Sequence, residues 1–367
     1  MTATRVLTPG ALGRALLARQ FLLDRAELPA EDAVTHLVGM QAQAPYAPYF
    51  GLWTRLRGFC IEHLVDALNE RRLLRIALMR STIHLVTPDD CMALRPWVQP
   101  ILDRELNTAF RKQTEGLDRD EVAAYGRESL KDRPLSTKEL GELLHQRWPD
   151  REPRALTYVV RNRAPLVQVP PRGIWGVGGL TRYATVEDWT GHAPVPEPDP
   201  AALVLRYLAA FGPASVRDVQ TWAGLVRLRP VLEELRPRLM TFRDENGVEL
   251  FDLPDAPRPA EDTPAPVRFL PEYDNLLASH ADRTRVVSDD HRKLIMTRNG
   301  MLATFLVNGR VSGTWRISRE RDTATLFVEP FGKLSKKQLS AVAAEGRRLL
   351  SFAADDAAVR EVVLPPA

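Results

Sequence analysis

Residues 120–163 read DEVAAYGRESLKDRPLSTKELGELLHQRWPDREPRALTYVVRNR, and the breaks inside this stretch decide the fold. Asp120–Lys131 is an amphipathic helical pattern, and Pro134-Leu135-Ser136-Thr137 interrupts it. Ser136 followed by Glu139 has the spacing of a capping box, so Lys138–Trp148 reads as a second, short helix. Pro153 at a first-turn position opens a third helix over Arg154–Arg163. Downstream, Leu166–Val169 reads as a strand, Pro170-Pro171-Arg172-Gly173 as a turn, and Ile174-Trp175 as the returning strand. Three helices followed by a two-stranded ribbon is the order of a winged helix, a helix-turn-helix with a β-hairpin wing.

The pattern recurs from about Pro200. Ala201–Phe211 is a helix, and Gly212-Pro213-Ala214-Ser215 breaks it, with Asp218 three residues after Ser215. Val216–Gly224 and Leu228–Arg236 supply the next two helices. Met240–Phe242 and Val248–Phe251 flank Glu245-Asn246-Gly247, a strong hairpin signal. The N-terminal segment follows the same order less cleanly: helices over Thr8–Arg19, Pro29–Met40 and Ile61–Glu70, then a strand at Ile83–Val86. After about Val267 the chain is mixed. Leu302–Val307 and Val311–Ile317 flank a second Asn-Gly turn, Thr325–Phe331 is a strand, and Lys336–Phe352 is an amphipathic helix. The expected class is therefore α+β, mainly α: tandem winged-helix units with a C-terminal mixed α/β segment. Their expected bounds are 1–118, 119–196, 197–266 and 267–367.

Composition narrows the function. Hydrophobic residues make up 44% of 367, enough for ordinary cores, and no run approaches the roughly 18 apolar residues of a membrane span. Met1 to Arg5 leads straight into a helical pattern, which predicts no secretory leader, and a cytoplasmic, nucleoid-associated monomer is expected. Cys60 and Cys91 make neither a disulfide framework nor a metal cluster. The formal net charge is only +3, yet 7 of the 50 basic residues are lysine, leaving 43 arginines. Arginine suits forked phosphate contacts, although a GC-rich genome produces the same skew. No phosphate-binding loop, zinc helix or nucleophile elbow is present, and the seven histidines lack metal-ligand spacing, so neither metal nor cofactor is expected. Gly176-Val177-Gly178-Gly179 follows a hairpin without leading to a helix, so it reads as a wing and not a dinucleotide site.

Three polar stretches remain. In Leu37-Val38-Gly39-Met40-Gln41-Ala42-Gln43-Ala44-Pro45, two glutamines interrupt an apolar run. If the backbone is extended, Gln41 and Gln43 share a face and their amides together can orient one water; if it is helical, they diverge and cap backbone groups at a helix end. Arg71–Arg80 holds four arginines and no acid, and Arg80, Thr82 and His84 would share one strand face toward a phosphate or substrate. A solvated helix end running into a strand is the plainer reading. The acids of Phe269–Asn275, with His280 and Asp282 beyond, are alternative catalytic carboxylates.

Gly39-Met40-Gln41-Ala42-Gln43, Gly51-Leu52-Trp53 and Met79–Val86, together with Leu270–Leu277 and Gly309–Arg316, resemble the AlkZ-like family of bacterial winged-helix DNA glycosylases. The resemblance spans essentially the whole chain. It implies that Gln41 and Gln43 form a catalytic glutamine-aliphatic-glutamine motif, with Ala42 as a small middle residue. A related branch carries Asp at the third position, which this chain lacks. Arg80, Thr82, His84, Trp53, Asn308, Arg310 and Arg316 become candidates for DNA or substrate-pocket contacts. The implied activity is excision of N7-alkylated purines from double-stranded DNA, including bulky natural-product adducts and interstrand crosslinks, often as self-resistance. Such a base is already cationic, so the oxocarbenium-like sugar requires a placed water or electrostatic support, and positioning is the main contribution open to the two amides. No lysine lies near the motif in sequence, which predicts a monofunctional enzyme leaving an abasic site. The competing reading is a non-catalytic winged-helix DNA-binding protein, such as a regulator of resistance genes.

Overall fold

A computed structural model describes residues 5–191, 199–298 and 300–365. Met1–Thr4 and the expected 196/197 boundary lie outside the described residues. The architecture is mixed α/β.

Over 119–185 the observed order is helix Arg119–Leu130, strand Leu135–Ser136, helices Thr137–Arg147 and Pro153–Arg163, and strands Leu166–Val169 and Arg182–Thr185. The capping box forms: Glu139 N–H donates to Ser136 Oγ at 3.2 Å, and Ser136 N–H to Glu139 Oε2 at 2.8 Å. Leu140, Leu144, Leu156, Val159 and Val160 pack into one buried cluster, the apolar faces that the spacing sets out. The returning strand is Arg182–Thr185 and not Ile174-Trp175. Trp175 is instead drawn into aromatic contacts with Tyr46 and Tyr49, each 5.1 Å between centroids, and the Tyr49 hydroxyl donates to Gly173 O at 2.8 Å. Residues 170–181 therefore form a loop, with Gly176–Gly179 exposed in it.

The same order recurs in Pro200–Phe211, Val216–Ala223, Arg229–Leu235, Met240–Asp244 and Glu249–Asp252, with Ala214 bridging antiparallel to Phe251. Val6–Leu7 adds a parallel strand to this hairpin. The C-terminal segment is a five-stranded sheet in the order Arg268–Leu270, Thr304–Val307, Arg310–Glu320, Thr323–Pro330, Val359–Val363. The Lys336–Ala353 helix buries Val342, Leu349 and Leu350 against it.

The N-terminal segment departs from expectation. Its second helix stops at His36, because Val38 and Gly39 take φ of 53° and 86°, and a Cβ on Gly39 would lie 2.8 Å from Val86 Cγ1. The chain turns there into strand Met40–Gln41. A 22-residue helix, Pro88–Ala109, also follows the strand Ile83–Val86, despite Pro96 and Pro100 inside it.

A six-stranded sheet runs Met40–Gln41, Ile83–Val86, Leu74–Ala77, Leu166–Val169, Arg182–Thr185, Leu135–Ser136, and crosses the expected 118/119 boundary through the Ile76–Val167 pairing. One buried cluster contains Leu16, Ile76, Val167, Tyr207, Leu277 and Leu306. The segments thus share this interior, while 119–185 and the C-terminal sheet also pack buried clusters of their own. Among the described residues, no helix is long and apolar enough to cross a membrane, and no group of His, Cys, Asp or Glu could hold a metal.

Candidate active site

The turn at Gly39 makes the glutamine segment an edge strand. Met40 and Gln41 pair antiparallel with Leu85 and His84, and Ala42 N–H continues the ladder to Ile83 O at 2.7 Å. The backbone is a strand at Met40–Gln41 and bends at Gln43, and since the preceding helix ends at His36 the glutamines do not sit at a helix end. The outer edge is closed by one side chain from far along the chain. Asn275 Oδ1 accepts Gln41 N–H at 3.2 Å, and its Nδ2 donates to Gly39 O at 2.7 Å, so a single carboxamide replaces the peptide of a missing neighbour strand. Buried Arg75 adds a bond from Nη2 to Ala42 O at 2.9 Å.

Both glutamine side chains meet the segment 82–83. Gln41 Nε2 donates to Thr82 Oγ1 at 3.2 Å, and Ile83 N–H donates to Gln43 Oε1 at 3.2 Å. The two amides are therefore tethered by opposite ends. Gln41 is 8% exposed, and its Oε1 is buried with no hydrogen-bond partner among the described residues. Gln43 is exposed and has its oxygen engaged. The site thus holds a buried acceptor on Gln41, while the exposed Gln43 has its oxygen engaged and its amide nitrogen left to donate.

The turn that supplies Thr82 is strained. Arg80 and Ser81 have φ of 56° and 57°, conformations that cost non-glycine residues about 1–2 kcal/mol each. Bonds on both sides hold them. Arg80 Nη1 donates to Trp222 O at 2.5 Å, in the last turn of the Val216–Ala223 helix, where a cation also meets the helix dipole. The Ser81 hydroxyl and the Tyr158 phenol both donate to the Glu105 carboxylate. Arg80 is thus not on the strand face with Thr82 and His84, as its spacing suggested, but braces the turn against the Val216–Ala223 helix. Burial, helped by the charge of Arg283, pulls its guanidinium down to about 10, still cationic at neutral pH.

His84 lies across from Gln41 but is 1% exposed. Its Nδ1–H donates to Thr82 O at 2.8 Å, and burial, with Arg80's charge, pushes the imidazole down to about 3. It is a neutral wall, unable to deliver a proton near pH 7.

The other sequence candidates lie apart from this cluster. Trp53 stacks on Phe352 at 5.7 Å and carries Arg25 over its ring at 4.7 Å, sealing the N-terminal segment against the C-terminal one. Asn308 is tied to Arg14, Oδ1 to Nη2 at 2.7 Å, and Gly309 beside it sits so close to Leu17 that the hairpin turn abuts the first helix. Arg310 is exposed and donates to Thr284 O at 3.2 Å. Arg316, also exposed, lies over Phe327 at 4.0 Å on the open face of the C-terminal sheet. Among the alternative acids, Asp274 is taken by a buried two-pronged pair with Arg55, both bonds 2.8 Å, Glu272 is exposed, and Asp282 caps Thr284 N–H. His280 is buried against Ser279 and Phe211 O. Asn275 and Glu105 were missed by sequence reasoning. Asn275 does stand in the Leu270–Leu277 stretch already marked by the resemblance, whereas no local pattern distinguishes Glu105.

A family model described as DNA glycosylase AlkZ-like matches residues 34–352. The interstrand DNA cross-link repair glycosylase of Streptomyces sahachiroi is 27% identical over 356 residues, covering 90% of this chain and 92% of that protein. The solved structure of Streptomyces sahachiroi DNA glycosylase AlkZ aligns with a TM-score of 0.75 at 20% identity, over 98% of this chain and 100% of that one, a likeness of fold. The match over most of its length shows that this chain belongs to the AlkZ-like DNA glycosylase family.

Proposed function

We propose that this chain hydrolyses the N-glycosidic bond of N7-alkylated purines in duplex DNA, interstrand crosslinks among them, in repair or antibiotic self-resistance. The observation that carries the reading is the buried Oε1 of Gln41, without a partner among the described residues, on a backbone held from both edges. A cationic alkylpurine leaves with little acid assistance, so a placed water is what the site must contribute. An amide oxygen is too weak a base to deprotonate water fully, but it can accept one of its protons and aim its lone pair. None of the hydrogen-bond partners described at Gln41, Gln43 or Thr82 is a lysine, which supports direct hydrolysis to an abasic site over a Schiff base. The name of the Streptomyces relative and the exposure of Gln43 both favour crosslinks, since a base still bound to the opposite strand needs an open site.

The repeated order of helix, short strand, two helices and hairpin supports reading 119–196 and 197–266 as winged helices that track the duplex, with 1–118 as a divergent third unit and 267–367 as the mixed segment. The working form is taken as a monomer in the cytoplasm, associated with the nucleoid.

Release of free alkylbase from N7-methylguanine duplexes and from a crosslinked duplex tests the assignment. Wild type is expected to release it, and Gln41→Ala and Gln43→Ala to be slow. Unchanged release in both variants would remove the catalytic role from the pair. Salt-sensitive DNA binding without release on any alkylated duplex would indicate a binding protein.

A further inference from the structure

We infer that Thr82 is a positioning residue: its hydroxyl sets the orientation of the Gln41 amide, so that an oxygen and not an NH2 faces the reacting water. The inference rests on the catalytic reading of Gln41. A hydroxyl has one proton to give and lone pairs to receive. Thr82 Oγ1 gives its proton to Met79 O at 3.1 Å, within the strained turn. What remains toward Gln41 is an acceptor, which only the Nε2 end of the amide can satisfy, and it does so at 3.2 Å. The opposite end of the carboxamide is then Oε1, buried and unpartnered among the described residues.

Thr82 is itself fixed at every other polar group. Its N–H donates to Met79 O at 3.2 Å, while its carbonyl accepts from Leu78 N–H at 3.0 Å and from His84 Nδ1–H at 2.8 Å. The strain at Arg80 and Ser81 thereby has a use, because the turn presents a hydroxyl whose proton is already committed. A flipped Gln41 amide would point NH2 at the water and occupy the lone pair needed for attack at the sugar. It would also set an amide oxygen against a hydroxyl with no proton to offer.

The test is single-turnover excision on an N7-methylguanine duplex by Thr82→Val, Thr82→Ser, Gln41→Ala and the double variant Gln41→Ala/Thr82→Val, with DNA affinity and melting temperature measured in parallel. Thr82→Val is expected to slow the chemical step about tenfold, the weight of one neutral hydrogen bond, with affinity unchanged. Thr82→Ser should restore the rate, and the double variant should be no slower than Gln41→Ala. A full rate in Thr82→Val beside a slow Gln41→Ala would overturn the positioning role and leave the catalytic reading intact. Equal slowing by Val and Ser would also overturn it, since shape and not the hydroxyl would matter. A full rate in Gln41→Ala would remove both proposals together.

Discussion

Replacing Asn275 by alanine removes the clasp that closes the outer edge of the glutamine strand, and its cost can be worked from two bonds. Gln41 N–H loses its acceptor and Gly39 O loses its donor, at 3.2 and 2.7 Å in the native chain. Asn275 is 8% exposed and Gln41 likewise, so water does not simply replace the amide. A buried backbone group left unmade costs about 1–3 kcal/mol, which gives roughly 2–6 kcal/mol for the pair, the low end applying where a water enters the vacated space. Urea unfolding should report the loss in stability as a lowered midpoint. Hydrogen exchange is the sharper assay, because the Gln41 amide faces the outer edge and Asn275 is its described partner. Its exchange should accelerate far more than that of Ala42, whose N–H stays bonded to Ile83 O at 2.7 Å. Base excision should fall with it, since Gln41 would be anchored from one edge only. If Gln41 exchanges no faster in Asn275→Ala, with stability within about 0.5 kcal/mol of wild type, the edge clasp is not what holds the site and the reasoning fails.

Acid should weaken the fold through histidine. His84 is held near 3 against an ordinary 6.5, so the unfolded chain binds a proton that the native chain refuses; its contribution is complete above about pH 6.5 and is lost as pH falls toward 3. The slope should approach about 1.4 kcal/mol per pH unit for this one group. His280, lowered by burial and by Arg285, adds in the same direction. His84→Asn, which keeps a donor for Thr82 O, should flatten part of the slope in denaturation titrations between pH 6.5 and 4, and an unaltered slope would count against the assignment. Arg310→Ala should weaken DNA binding and lower the salt slope by about one without altering the melting temperature. Equal affinity in a binding titration would remove Arg310 from the interface.

What could be read from the sequence was what local chemistry controls. Ser136 with Glu139 and Ser215 with Asp218 form their caps from residues three apart, and the helices they start lie where those signals put them. The wing strand was misplaced because Trp175 answers to Tyr46 and Tyr49 and not to its own neighbours. The Pro88–Ala109 helix escaped notice because Pro96 and Pro100 ordinarily end one. At the site, the glutamines stood out as amides in an apolar run, but their extended backbone depends on the positive φ of Gly39 and on a clasp 234 residues away. Arg80 has the right residue type for a phosphate, and only the tertiary structure shows it turned toward Trp222 O.

The distance between Gln41 and Asn275 also orders events in the life of the chain. The residue that clasps the glutamine strand follows Gln41 by 234 positions, about ten to fifty seconds of synthesis at roughly 5–20 residues per second. The sheet beneath that strand is likewise incomplete until Leu166–Val169 has been made and Ile76 can pair with Val167. A nascent or prematurely terminated polypeptide therefore carries both amides without their arrangement. The clasped geometry of the glutamine strand forms only once the chain has been made as far as Asn275.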